Sequence, residues 1–173
     1  MHPAHDLAWF NSLPSSEAAK ELLQCCGSTR WARQMVEARP YASLEALIAT
    51  AHAIWWTLAR NAWLEAFRSH PKIGEKRSAD EVSRQARQWS GQEQASVATA
   101  SQETVDSLAT LNRAYEQKFG FIFIICATGK TSDEMLSALR ERLQHDAADE
   151  LPIAAAEQSK ITELRLKKLL TSE

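Results

Sequence analysis

Apolar residues recur at three- and four-residue spacing along most of the chain, and short polar or glycine-containing breaks divide them into helical segments. Ser15 and Ser16 precede a segment from Glu17 to Cys26, and Gly27 follows as a stop. Ser28 caps a second helix through about Arg39, ended by Pro40. Ser43 opens a long helix predicted from Leu44 to Ser69, with Leu47, Ile48, Ala51, Ile54, Trp55, Leu58, Trp63 and Phe67. Apolar on more than one face, it reads as central and buried. It runs into His70-Pro71, and proline disfavours the α conformation of the residue before it, so the helix ends there.

Residues Ser78 to Gln88 are polar and read as a surface helix or loop. Ser90-Gly91-Gln92-Glu93 fits a capping box and predicts a helix from about Gly91 to Phe119, stopped by Gly120. Phe121 to Cys126 reads as extended chain or as the start of a buried helix; periodicity does not decide over so few residues. Thr131-Ser132-Asp133-Glu134 is a second capping box, opening a helix to about Gln144, and Leu151 to Leu170 forms the last helix. The expected fold is an all-α, single-domain multi-helix bundle over residues 1–173, with no internal repeat or linker.

Composition sharpens this picture. Only five glycines and five prolines among 173 residues favour helix, and 45% hydrophobic content is enough for a substantial core. A net charge of -2 lacks the basic excess that broad nucleic-acid binding needs. The longest apolar run, Phe121 to Ala127, is far too short for a membrane span, and the first residues show no signal-peptide pattern. The three cysteines, Cys25, Cys26 and Cys126, suit neither a disulfide framework nor metal-ligand spacing. They read as buried apolar residues in a reducing cytoplasm. Trp55, Trp56, Trp63, Phe67, Phe121 and Phe123 are expected in the core, Trp31 and Trp89 nearer the surface.

Three polar residues could carry chemistry. His70 sits on the rigid corner His70-Pro71-Lys72-Ile73-Gly74, at a helix C-terminus that favours imidazolium. It is either a proton donor or a helix-end cap. Glu93 closes the Ser90 capping box, which alone explains its presence, although an oriented carboxylate also suits acid–base work. Arg165 shares a helical face with Ala154, Gln158, Ile161 and Leu169, so it either snorkels along apolar surface or clamps an anion in a pocket. No phosphate-cradling loop, nucleophile elbow, zinc helix or cofactor motif is present.

Several segments taken in order go further. They are Cys25-Cys26-Gly27-Ser28-Thr29-Arg30-Trp31-Ala32, Arg39-Pro40-Tyr41, His70-Pro71-Lys72-Ile73-Gly74 and Ser90-Gly91-Gln92-Glu93-Gln94. Leu111-Asn112-Arg113-Ala114-Tyr115-Glu116-Gln117-Lys118-Phe119-Gly120-Phe121 and Lys160-Ile161-Thr162-Glu163-Leu164-Arg165-Leu166 complete the series. From about Leu7 to Leu170 the chain resembles the OHCU decarboxylase family, the 2-oxo-4-hydroxy-4-carboxy-5-ureidoimidazoline decarboxylases. The resemblance implies an all-helical homodimer and a cofactor-independent carboxy-lyase that converts OHCU to (S)-allantoin and CO2 in urate breakdown.

The resemblance also implies a site. The family's histidine–proline pair maps onto His70 and Pro71, its serine-x-x-glutamate-glutamine segment onto Ser90, Glu93 and Gln94, and its late arginine onto Arg165. The segment after its Phe-Gly pair lines the pocket, which makes Phe121, Phe123, Ile124 and Ile125 substrate contacts. His70 and Glu93 would then be catalytic, and no metal is implied. Gly91 stands where a larger residue is expected. The ending Leu170-Thr171-Ser172-Glu173 is no peroxisomal address, so a cytoplasmic enzyme is expected, without membrane or nucleic-acid partners. The competing readings are a non-enzymatic helical interaction module and another enzyme of ureide breakdown.

Overall fold

The computed structural model describes residues 5–73 and 84–171. Gly74 and the stretch Ser78–Ser83 of the expected polar segment lie outside the described residues. The described chain is helical, with no strand. Its α-helices are α1 (Leu7–Ser12), α2 (Ser15–Cys25), α3 (Thr29–Glu37), α4 (Leu44–Thr57), α5 (Arg60–Arg68), α6 (Arg84–Glu93), α7 (Gln102–Phe119), α8 (Ser132–Arg142) and α9 (Ala147–Thr171). A 3-10 turn, Ala95–Thr99, separates α6 from α7. No helix among these residues is long and apolar enough to cross a membrane.

The chain divides into two compact units. One takes the chain through Ala66 and resumes at Ser159; the other is Phe67–Gln158. In the first unit α2 packs on α3 and α3 on α4. Its core holds Phe10, Leu22, Trp31, Met35, Leu47 and Trp55, all at most 2% exposed. Trp31 is therefore core and not near-surface: its indole N–H reaches the Ala51 carbonyl at 3.2 Å, so the ring is buried with its polar edge satisfied. In the second unit α7 packs on α8 around Leu108, Tyr115, Met135 and Leu139.

Helix starts follow the local chemistry. Ser28, Ser43 and Thr131 each accept a backbone N–H in the first turn of the helix they open. Thr131 and Glu134 form the complete reciprocal box. Asp6 caps the short α1, which the apolar pattern does not mark.

Two junctions differ from expectation. The helix expected from Leu44 to Ser69 is two helices, broken at extended Leu58. The indole of Trp63 donates to the Trp55 carbonyl at 2.9 Å. That carbonyl would otherwise take the next helical N–H, so the indole partly satisfies the broken end.

The second difference concerns Ser90 and Glu93. They do not open a helix but lie in the last turn of α6, and the N-cap of α7 is Ser101, which accepts from Thr104 N at 3.2 Å. A Ser-x-x-Glu spacing is also the i,i+3 spacing of one helical face, and here that second meaning holds. Trp89 is buried on that face at 5% exposure, contrary to its expected surface place, while Trp56 is the exposed tryptophan at 48%.

Candidate functional site

His70 lies just past α5, with its backbone N–H on the Phe67 carbonyl at 3.2 Å. The turn is anchored by Phe67, 1% exposed, whose ring packs 5.5 Å from that of Phe121. The imidazole is 7% exposed. Its Nε2 lies 2.6 Å from Oε1 of Gln158 on α9, and Gln158 is fully buried. Pro71 follows, half-buried, and Lys72 pairs with Glu116 of α7 at 2.8 Å. This corner also borders a cavity of about 50 Å3 lined by Lys72, Ile73, Leu108 and Asn112. The Asn112 amide nitrogen, buried without a protein partner, provides a donor for a water there.

Ser90 is buried on α6, and Glu93 and Gln94 are half-buried at its end. Glu93 stands one turn from Trp89 and Ser90, on the buried face of the helix. Gly91 is exposed, and an added Cβ would meet nothing within 4 Å, so its small size answers no steric demand.

The segment after Gly120 is extended. Gly120 ends α7 in the left-handed conformation, φ 77°, where a Cβ would strain the backbone. Phe121, Phe123, Ile124, Ile125 and Cys126 are all buried, at 8% exposure or less. No strand lies alongside among the described residues, so side chains meet some of its backbone groups. Arg142 donates to the Ile124 carbonyl at 2.6 Å, and Cys126 N–H donates to the Glu157 carboxylate at 2.7 Å. Arg142 is itself held by Glu150 at 2.6 Å and lies 4.5 Å from the Phe123 ring centroid. Tyr115 hydroxyl also donates to Glu150.

Electrostatics ties Glu93 to this segment. Burial raises the Cys126 thiol above its ordinary range, and the carboxylates of Glu157 and Glu93 raise it further. Burial likewise pushes the Cys26 thiol up to about 12. Neither sulfur is thus disposed to form a thiolate nucleophile. All three cysteines are buried and none is in a disulfide, as their sequence context suggested.

Arg165 is 4% exposed and donates to the Gln24 carbonyl at 3.2 Å within the first unit. Ala154, Gln158, Ile161 and Leu169 are also buried, so the stripe read from the sequence is the core-facing side of α9. In the second unit Gln158 holds His70 and Glu157 holds the extended segment, and Glu93 acts electrostatically on Cys126 of that segment. Sequence reasoning noted Gln158 only as a member of that stripe, and it overlooked Glu157 and Arg142. The available signal was a polar residue repeated among apolar ones. No group of three or more His, Cys, Asp or Glu among the described residues is placed to hold a metal.

Comparisons with known proteins agree on one family. The OHCU decarboxylase family model matches residues 11–167. The uric acid degradation bifunctional protein TTL of Arabidopsis thaliana is 47% identical over 150 residues, covering 86% of this chain and 46% of that protein. A 2-oxo-4-hydroxy-4-carboxy-5-ureidoimidazoline decarboxylase of Haloferax volcanii is 28% identical over 135 residues, covering 78% of this chain and 77% of that one. The chain thus spans less than half of the Arabidopsis bifunctional protein but most of the Haloferax one. The crystal structure of an OHCU decarboxylase in the presence of (S)-allantoin matches at TM-score 0.75 and 42% identity, covering 88% of this chain and 98% of that chain.

Proposed function

Because the chain belongs to the OHCU decarboxylase family, we propose that it converts OHCU to (S)-allantoin and CO2 in urate breakdown, without a cofactor. His70 carries this reading at the site: a buried imidazole at a helix end, with one nitrogen fixed by a side-chain hydrogen bond. Neutral-range proton transfer by a positioned imidazole is the contribution this reaction needs.

The substrate's structure sets the steps. Its carboxylated carbon bears a hydroxyl and adjoins a ring C=N bond. When the C–C bond to the carboxylate breaks, CO2 leaves and the electron pair moves into that C=N system. The ring nitrogen of that bond takes a proton, the former C=N carbon takes another, and the hydroxyl gives one up as it becomes the ring carbonyl. The balance is loss of CO2 and gain of one proton. Two acid–base groups fit the transfers at carbon and at the hydroxyl: His70 as donor to carbon and Glu93 as acceptor from the hydroxyl. Delivery to one face yields one enantiomer. Arg165 binds an anionic or carbonyl part of the substrate. Ser90, Gln94, Pro71 and the segment Phe121, Phe123, Ile124 and Ile125 complete the pocket.

The test uses freshly generated OHCU, with circular dichroism following (S)-allantoin. The wild type should accelerate its formation well beyond spontaneous decay. His70→Ala and Glu93→Ala should each lose most of that acceleration with their helical signal intact. A wild type that adds nothing to spontaneous decay refutes the enzyme reading. A homodimer in the cytoplasm is part of the same proposal. It is supported by the family resemblance, by Trp56 and Leu23 as exposed apolar side chains, and by three cysteines none of which is in a disulfide. Sedimentation analysis should give twice the chain mass.

A further inference from the structure

The His70–Gln158 contact has a chemical direction. We infer that Gln158 is a positioning residue that keeps the proton of His70 on Nε2, which makes Nδ1 the nitrogen that takes up and releases the catalytic proton. The catalytic part of this inference rests on the decarboxylase reading; the tautomer part does not.

Geometry comes first. Nε2 and Oε1 are 2.6 Å apart, and the contact is buried, with Gln158 at 0% exposure. An amide side chain offers either an acceptor oxygen or a donor nitrogen. An imidazole that acts as an acid must spend part of its cycle as imidazolium, where both ring nitrogens are donors. The amide nitrogen facing Nε2 would then set donor against donor in a buried place. The amide oxygen facing Nε2 serves both the neutral and the charged ring.

The choice of an amide also matters. A carboxylate here would favour imidazolium strongly and resist loss of its proton. A neutral amide fixes the same tautomer and ring orientation with a weaker hold on the charge. It cannot take the Nε2 proton, so exchange is left to Nδ1. The support is firm, because the preceding residue, Glu157, accepts the Cys126 N–H at 2.7 Å. One turn of α9 thus fixes both the histidine ring and the extended segment. Partners that orient metal-ligating histidines are worth about 10- to 100-fold in metal affinity or activity, and the same order is expected for a partner that orients an acid–base histidine.

The experiment joins imidazole 15N NMR of the free protein with kinetics across pH, on wild type, Gln158→Met and Gln158→Glu. Wild-type His70 in its neutral form should show a protonated Nε2 and an unprotonated Nδ1. Gln158→Met should give mixed tautomers and lower kcat about 10- to 100-fold with KM little changed. Gln158→Glu should keep the Nε2–H tautomer and move the His70 limb of the pH profile upward. If Gln158→Met fails to fold, the wild-type spectrum and Gln158→Glu still decide. A wild-type enzyme that turns over OHCU but carries the His70 proton on Nδ1 overturns the inference and spares the decarboxylase reading. So does a folded Gln158→Met with unchanged kcat and tautomer. If wild type does not accelerate OHCU loss yet shows the Nε2–H tautomer, the decarboxylase reading falls and the tautomer assignment stands.

Discussion

Of the histidines held by side chains of α9, His70 and His52 are held differently. His70 meets a neutral amide, Gln158, and is 7% exposed. His52, in the other unit, meets the Ser159 hydroxyl at 2.7 Å through Nδ1 and the Glu163 carboxylate at 2.9 Å through Nε2. Its side chain is 37% exposed. By residue type the His52 set suggests chemistry: serine, histidine and carboxylate form a chain like a nucleophile triad. Its surroundings deny that use. The space beside it, bounded by Trp31, Ala51, Trp55 and Thr162, is about 10 Å3, which holds one water and no substrate. The cluster ties α4 to the end of α9. A histidine is shaped for proton transfer by what surrounds it more than by its list of partners.

Five substitutions sharpen this contrast. His70→Ala should lower kcat by roughly 10²- to 10⁴-fold, the usual worth of a positioned acid or base, while His52→Ala leaves kcat nearly unchanged. Activity assays on both proteins at equal helicity make the comparison. If His52→Ala is the more damaging, the two roles are reversed.

Arg142→Ala should cost about 3–5 kcal/mol in denaturant unfolding, because it removes the guanidinium paired with the fully buried Glu150 and releases the Ile124 carbonyl. Ser159→Ala removes a single hydroxyl hydrogen bond from the His52 cluster and should cost about 1 kcal/mol. A loss as large as that of Arg142→Ala would make the His52 cluster a second anchor of the fold.

The smallest expected effect is pH-linked. Hydrogen bonds from Lys167 first, and from His52, hold the Glu163 carboxyl below its ordinary range. A carboxylate whose folded pKa is depressed stabilises the fold above its unfolded pKa, and that stability is lost as pH falls through the folded value. Glu163→Gln should therefore flatten the acid limb of thermal stability below about pH 4.5. The gain removed is about 0.2–1 kcal/mol, since the pair is solvent-screened. An unchanged acid limb would mean that the His52 cluster adds nothing to stability.

The same contrast explains what the sequence could show. Caps are local: Ser28, Ser43 and Thr131 act on backbone groups three residues away, so their helices were legible. The break at Leu58 was not, because no glycine or proline marks it and the indole that supports it belongs to the next helix. Ser90 and Glu93 misled because one spacing serves both a cap and a helical face. Of the candidate site, His70 and the stripe of Arg165 were readable from proline chemistry and helical periodicity. Gln158 was not, since its partner lies 88 residues away in the chain. Most of the site roles came from the ordered resemblance and not from any single motif.

The most direct test of the account is the enantiomer of allantoin formed from fresh OHCU with wild-type protein, with His70→Ala and with no protein. The expected result is rapid (S)-allantoin with wild type only, and slow racemic product in the other two. Equal rates and racemic product in all three would contradict it.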